Sequence, residues 1–156
     1  MLELFQALEY SSLLVEMRSS AWLFPLIASV HLLGLAVLGG AVLVVDLRLL
    51  GFGLSRQPVV PLARDAEPWL LASLLVMLPT GLALFLCFAT KYYYLPTFWT
   101  KIGCLGLVLV FTFTWRRRVV TTDDADRNAR QDRVTALVSL SLWMSVALSG
   151  RLIGFP

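Results

Sequence analysis

Four apolar runs, each close to the length a helix needs to cross a bilayer, constrain this chain more than any other feature. A crossing takes about 20 helical residues. The runs cover residues 22–45, 69–90, 98–115 and 134–150, the last two near the lower limit. In lipid every backbone N–H and C=O must be satisfied within the segment, so each run must be helical. The rest of the chain agrees: 58% of its 156 residues are hydrophobic and 15% charged, unlike a soluble globular domain. The sequence predicts an all-α integral membrane four-helix bundle, a single domain over residues 1–156 embedded in a lipid bilayer. Between the second and third runs, "KYYYLPTFW" places Tyr92, Tyr93, Tyr94 and Trp99 where an aromatic belt meets the headgroups.

Charge sets the expected orientation. With four spans, the first and third connections share a side, opposite both termini and the second connection. The first side holds Arg48, Arg56, Arg64, Arg116, Arg117, Arg118, Arg127, Arg130 and Arg133; the other holds only Arg18, Lys91, Lys101 and Arg151. The positive-inside rule puts the arginine-bearing connections in the cytoplasm and both termini outside, as expected of a multi-pass protein of a bacterial cytoplasmic (inner) membrane. Residues 1–19 have no basic start and no small-residue cleavage site, and Glu3, Glu9 and Glu16 interrupt them, so they do not read as a signal peptide. Glu9, Ser12 and Glu16 share one helical stripe and Leu4, Leu8 and Val15 another, with Phe5 intruding on the polar side. This pattern predicts a short interfacial helix on the outer surface.

The connection "GFGLSRQPVVPLARDAEP" carries turn chemistry at Gly51, Gly53, Pro58, Pro61 and Pro68. The longer "RRRVVTTDDADRNARQDR" mixes signs, because Asp123, Asp124, Asp126 and Asp132 offset the arginines. It reads as a solvated connector, and no nucleic-acid partner is expected. Nucleotide-binding and zinc-finger spacings do not occur.

The chemistry is expected where the bilayer should exclude polar groups. His31, the single histidine, lies in the first run, about 15 Å from its outer end. Gly34 and Leu38 share its face, and Gly34 removes bulk one turn away, admitting either a flat macrocycle or a neighbouring helix. His31 therefore reads either as an axial ligand or as a hydrogen-bonding link between helices. Asp46 and Arg48 end the same run near the cytoplasmic face, Asp46 about 22 Å from His31 and too far for contact, and read as helix-end anchors that meet opposite charges in the cytoplasmic loops. Lys101 and Arg151 open the third run and close the fourth. They suit snorkelling to headgroups, or the binding of carboxylates such as haem propionates. Cys87, Cys104 and Met144 fall in the same half of the membrane as His31. Thiolate, thioether and imidazole together would suit copper(I), although cysteine and methionine are also common apolar fillers. Pro79 in "MLPTG" predicts a kink that frees the Leu75 carbonyl.

The run "WLFPLIASVHLLGLAVLGGAVLVVDLRLLG", with "PW" opening the second span, "TG" within it, "FWTKIGCLGL" opening the third and "SGRLIGF" closing the fourth, resembles a bacterial family of four-helix membrane proteins of unknown function. More distantly, a histidine in the first helix and a lysine opening the third are similar to the membrane four-helix protoporphyrinogen oxidases and the copper-resistance D proteins. That resemblance implies haem b, with His31 and Lys101 matching by position. Such relatives often carry a second histidine late in the third helix, where this chain reads "FTFTWRRR", so one subunit offers no bis-histidine site.

Three functions are consistent with these residues. The chain is expected foremost to be a small haem-binding redox or electron-transfer protein: His31 the axial metal ligand, Gly34 giving room, Lys101 and Arg151 holding propionates, and Met144 a candidate sixth ligand. The second is copper handling through His31, Cys87, Cys104 and Met144. The third is a cofactor-free subunit anchoring a larger membrane complex. Gly39 and Gly40, away from the His31 face, suit contact with another helix, in an oligomer or with other membrane subunits. No catalytic residues are identified: a serine–histidine–aspartate set cannot form around a histidine so deep.

Overall fold

The computed structural model describes residues 2–53, 56–122 and 127–153, with no side-chain description for residues 2–4. Asp123, Asp124 and Asp126, and the side chains of Glu3 and Leu4, lie outside the described residues. Two short helices, α1 (Leu2–Glu9) and α2 (Ser12–Ser19), precede the spans α3 (Leu23–Leu50) and α4 (Val59–Leu86). After a short helix α5 (Ala89–Tyr93), the third span runs through α6 (Pro96–Phe111), a wide π turn (Thr112–Arg116) and α7 (Arg117–Thr121); α8 (Ala129–Ile153) is the fourth. No strand occurs among the described residues, and four helices are long and apolar enough to cross a membrane. The chain is an all-helical membrane bundle, as the four apolar runs require.

All four helices outrun their apolar segments. The spans hold 28, 28, 26 and 25 residues, or about 38–42 Å at 1.5 Å per residue against a hydrocarbon core of about 30 Å. The proline-rich first connection is shorter than its turn chemistry suggests. Helix α4 begins at Val59, keeping Pro61 in its first turn and Pro68 in its interior. Pro61 costs little, because a first-turn N–H has no helical partner to lose. Pro68 leaves the Arg64 carbonyl without its usual partner, near the end of the helix where water can reach it. Helix α3 starts under the Ser20 hydroxyl, which accepts from Leu23 N at 3.2 Å. It ends at Gly51, whose φ of +82° gives the left-handed turn that caps the helix.

The N-terminal segment differs from the single interfacial helix expected over residues 1–19. It divides at Tyr10–Ser11, and Glu9 is buried rather than part of a solvated stripe. Its carboxylate accepts from Thr90 N at 2.7 Å and Thr90 Oγ1 at 2.6 Å, and pairs with Arg18 at 3.4 Å. Arg18 also donates to the Cys87 carbonyl at 3.1 Å. The latch ties α1 and α2 to the α4–α5 junction, and the chain must break between them to close it. Beside it, Phe85 and Phe98 stack at 4.7 Å and join the α4 end to the α6 start.

Helix α3 packs along α4 and α8, and α6 along α8, whereas α4 meets the third span mainly at α7. One stripe of α3 faces the interior: Gly34, Leu38, Val42, Val45 and Leu49 are buried at helical spacing. Outward faces are apolar, as lipid demands. Trp22, Tyr94 and Trp99 ring the termini side, and Trp69 and Trp115 the arginine-rich side, all substantially exposed.

Candidate functional site: a histidine centre and a buried ion pair

His31 on α3 meets Thr80 and Gly81 of α4, with Lys101 of α6 nearby and Gly150 of α8 beside that lysine. Its Nδ1 lies 2.9 Å from Thr80 Oγ1, and its ring rests on Gly81, where a Cβ would come within 3.0 Å of Cε1. The space is made locally by sequence. Glycine in "PTG" lets the Cε1 edge of the imidazole come close to α4, and Pro79 precedes the threonine that engages it. The tautomer follows from the partners. Thr80 has one hydroxyl proton and donates it to the Val76 carbonyl at 2.7 Å. That leaves the Thr80 oxygen to accept from the ring, which puts the proton on Nδ1. Nε2 then keeps its lone pair, and no donor meets it among the described residues.

Lys101, at the start of α6, lies near enough for its charge to act on His31. Its stem runs over α8, with Nζ 3.5 Å from where a Cβ on Gly150 would stand. Among the described residues no carboxylate pairs with it. His31 and Lys101, matched by position in the sequence, thus belong to one polar centre, and Thr80, Gly81 and Gly150 complete it. The "TG" of the second span and the "SGRLIGF" closing the fourth contain three of these residues, but nothing in them says that they meet His31 or Lys101.

Other candidate residues lie elsewhere. Gly34 is buried, and a Cβ there would come within 2.9 Å of Met77 Cγ, so helix α4 occupies the room it leaves. Met144 is 59% exposed, on the outer face of α8. Arg151 is exposed near the end of the same helix. Cys87 is buried at the α4 terminus, Cys104 is half-buried, and both are free thiols. Among the described residues, no three histidine, cysteine or acidic side chains gather closely enough to hold a metal ion.

A second polar centre lies at the arginine-rich end. Asp46, fully buried on α3, accepts from Arg116 Nε at 3.0 Å. The opposite charge expected near Asp46 comes from the third span itself. Within the π turn the N–H of Arg117 reaches back to the Thr112 carbonyl. This wider turn rotates Arg116 inward while Trp115 donates to Thr135 Oγ1 at 3.1 Å. The pair is incompletely satisfied: Asp46 Oδ2, Arg116 Nη2, Ser139 Oγ and Thr112 Oγ1 are buried without a hydrogen-bond partner. Ser139 lies beside Asp46, but its hydroxyl does not reach hydrogen-bond geometry. Asp46 was legible as an anchor, whereas Arg116 read as part of a loop because the apolar run stops at Trp115.

Comparison with known proteins adds a family and no activity. No curated protein and no solved structure is similar enough to register as a relative. A family model described as a family of unknown function (DUF6644) matches residues 21–156, all four spans. The chain belongs to that family, DUF6644.

Proposed function

We propose that the protein is a small haem-binding membrane redox protein in which His31 Nε2 is the axial ligand to haem b. The observation that carries this reading is the tautomer. Ligating histidines characteristically donate their other ring N–H to an oxygen, which fixes the ring and raises its basicity. Here Nδ1–H is held by Thr80, leaving Nε2 free at a half-buried position within the bundle. The donor set fits the group: an imidazole with its ligating nitrogen free, beside a lysine without a carboxylate partner that can hold a propionate. Gly81 and Thr80 of α4 already lie against the ring. Haem bound at His31 supplies one-electron transfer. The chain's own residues would position the imidazole and neutralise a carboxylate. With Met144 on the outer face, one subunit offers one axial nitrogen.

Orientation belongs to the same proposal. The arginine-bearing connections lie in the cytoplasm of a bacterial cell, by the positive-inside rule, and the haem edge faces the outer side. A second membrane subunit or another copy lies against Gly39 and Gly40, where a Cβ would meet nothing within 4 Å.

The test is the absorption spectrum of protein purified after expression with ample haem. Wild type should show a Soret band of a five-coordinate, high-spin haem, and His31→Ala should lose it. Wild type without haem, or an alanine variant with an unchanged spectrum, refutes the assignment. A colourless protein that co-purifies with a partner would favour the anchoring-subunit reading, and one with stoichiometric copper would favour copper handling.

A further inference from the structure

We infer that the arginine-rich end of the bundle holds one anionic phospholipid, its phosphodiester at Arg64, Arg116 and Arg117 and its chain in the cleft beneath. A cavity of about 360 Å³ lies between α3, α4 and the third span, where α4 and α6 hardly touch. Its polar wall consists of Arg64, Glu67, Thr112, Arg116 and Arg117. Arg116 is not a loose surface cation. Its side chain is 7% exposed, and its Nη2 has no partner, nor has the Thr112 hydroxyl that lines the same cavity. Buried donors of this kind call for acceptors, and an unpaired guanidinium nitrogen is costly.

Polarity and position select the occupant. The cavity straddles the boundary of the apolar runs, with Val60–Glu67 of α4 on the polar side of Trp69 and Leu70. Ala41, Leu70 and Phe113 line the end nearer the membrane interior, and Arg64 and Arg117 the end nearer the surface. An amphiphile with its head at the boundary and its chain inward matches that order, and a free inorganic anion leaves the apolar part unused. Charge agrees. Three guanidiniums face Glu67, which pairs with Arg117 at 3.4 Å, and Asp46, which pairs with Arg116. One positive charge remains, the complement of a single phosphodiester.

Native mass spectrometry of the full protein in mild detergent tests the site, with phosphatidylglycerol, phosphatidylcholine and inorganic phosphate as probes. The expected result is one phosphatidylglycerol retained at least tenfold more strongly than phosphatidylcholine and undisturbed by equimolar phosphate. Arg64→Gln with Arg117→Gln should weaken retention about tenfold; both side chains are exposed, so the fold should persist, checked by an unchanged melting midpoint without lipid. Ala63→Leu should weaken it as well, by filling the cavity without changing charge. Equal retention of both lipids, or unaltered retention in the variants, overturns the proposal. Displacement by equimolar phosphate overturns it in favour of a soluble-anion site.

Discussion

Truncating Asp46 separates charge cancellation from packing in this bundle. Asp46 is fully buried and Arg116 nearly so, and they share one hydrogen bond, Nε to Oδ1 at 3.0 Å. Asp46→Ala removes the only carboxylate against that guanidinium among the described residues. An uncompensated buried charge costs about 3–5 kcal/mol. The value here should fall near the lower end, about 3 kcal/mol, because the pair lies close to the polar boundary and the guanidinium can recruit water after some rearrangement. Asp46→Asn keeps an acceptor and loses the charge, and should cost about 1.5–3 kcal/mol, the worth of a hydrogen bond to a charged group. Replacing both partners by apolar residues, Asp46→Leu with Arg116→Met, should cost less than Asp46→Ala alone. With Oδ2 and Nη2 unpartnered, the native pair recovers little of its own desolvation. Reversible unfolding in mixed micelles, followed by tryptophan fluorescence over a denaturing-detergent titration, gives the double-mutant cycle. Strictly additive effects, or an Asp46→Ala cost below about 1 kcal/mol, would refute the argument.

Burial alone would raise the Glu9 carboxyl, but the Thr90 hydrogen bonds and then the Arg18 charge outweigh it and hold the group below its ordinary range. A depressed pKa contributes stability that is present above the unfolded value and lost as pH falls through the folded one. Below the ordinary glutamate range, α1 and α2 should therefore release while the spans persist, seen as faster hydrogen exchange over residues 5–19; acid-insensitive exchange there would count against it. Glu9→Gln should loosen the segment already at neutral pH. Gly40→Leu should abolish association with a second membrane helix without affecting insertion, read as faster migration in a mild detergent; unchanged migration of an oligomeric wild type would rule that face out.

The fold was legible because lipid leaves few alternatives: an apolar run of this length must be a helix. The ends were less legible, because hydropathy marks where a helix enters lipid and not where its hydrogen bonds stop. Val59–Pro68 and Arg116–Thr121 are helical outside the apolar runs, and both carry arginine-side chemistry. The His31 face was legible from period alone, since Gly34 and Leu38 are buried on it as spacing requires. Thr80 and Gly150 were not, because helix period says nothing about which helices meet or how they rotate. Glu9 fits an amphipathic stripe until α1 and α2 separate. Its partner Thr90 is 81 residues away, a pairing that no local pattern records.

The two polar centres share helix α3 but not an environment. Between His31 and Asp46, Leu38, Val42, Leu70 and Leu74 form one buried cluster, with Met77, Leu109 and Trp143 packed against it. Over about 22 Å of helix no side chain of α3 offers a hydroxyl, amide or charge. The polar side chains of this layer come from other helices: Ser73, whose hydroxyl donates to the Leu70 carbonyl at 2.9 Å, and the indole of Trp143. The His31 centre lies on the termini side with Lys101 and Gly150, while the Asp46–Arg116 pair belongs to the arginine side. Were His31 to hold the proposed haem, the cation nearest to it would be Lys101, and the ion pair would still join α3 to the third span at the other end.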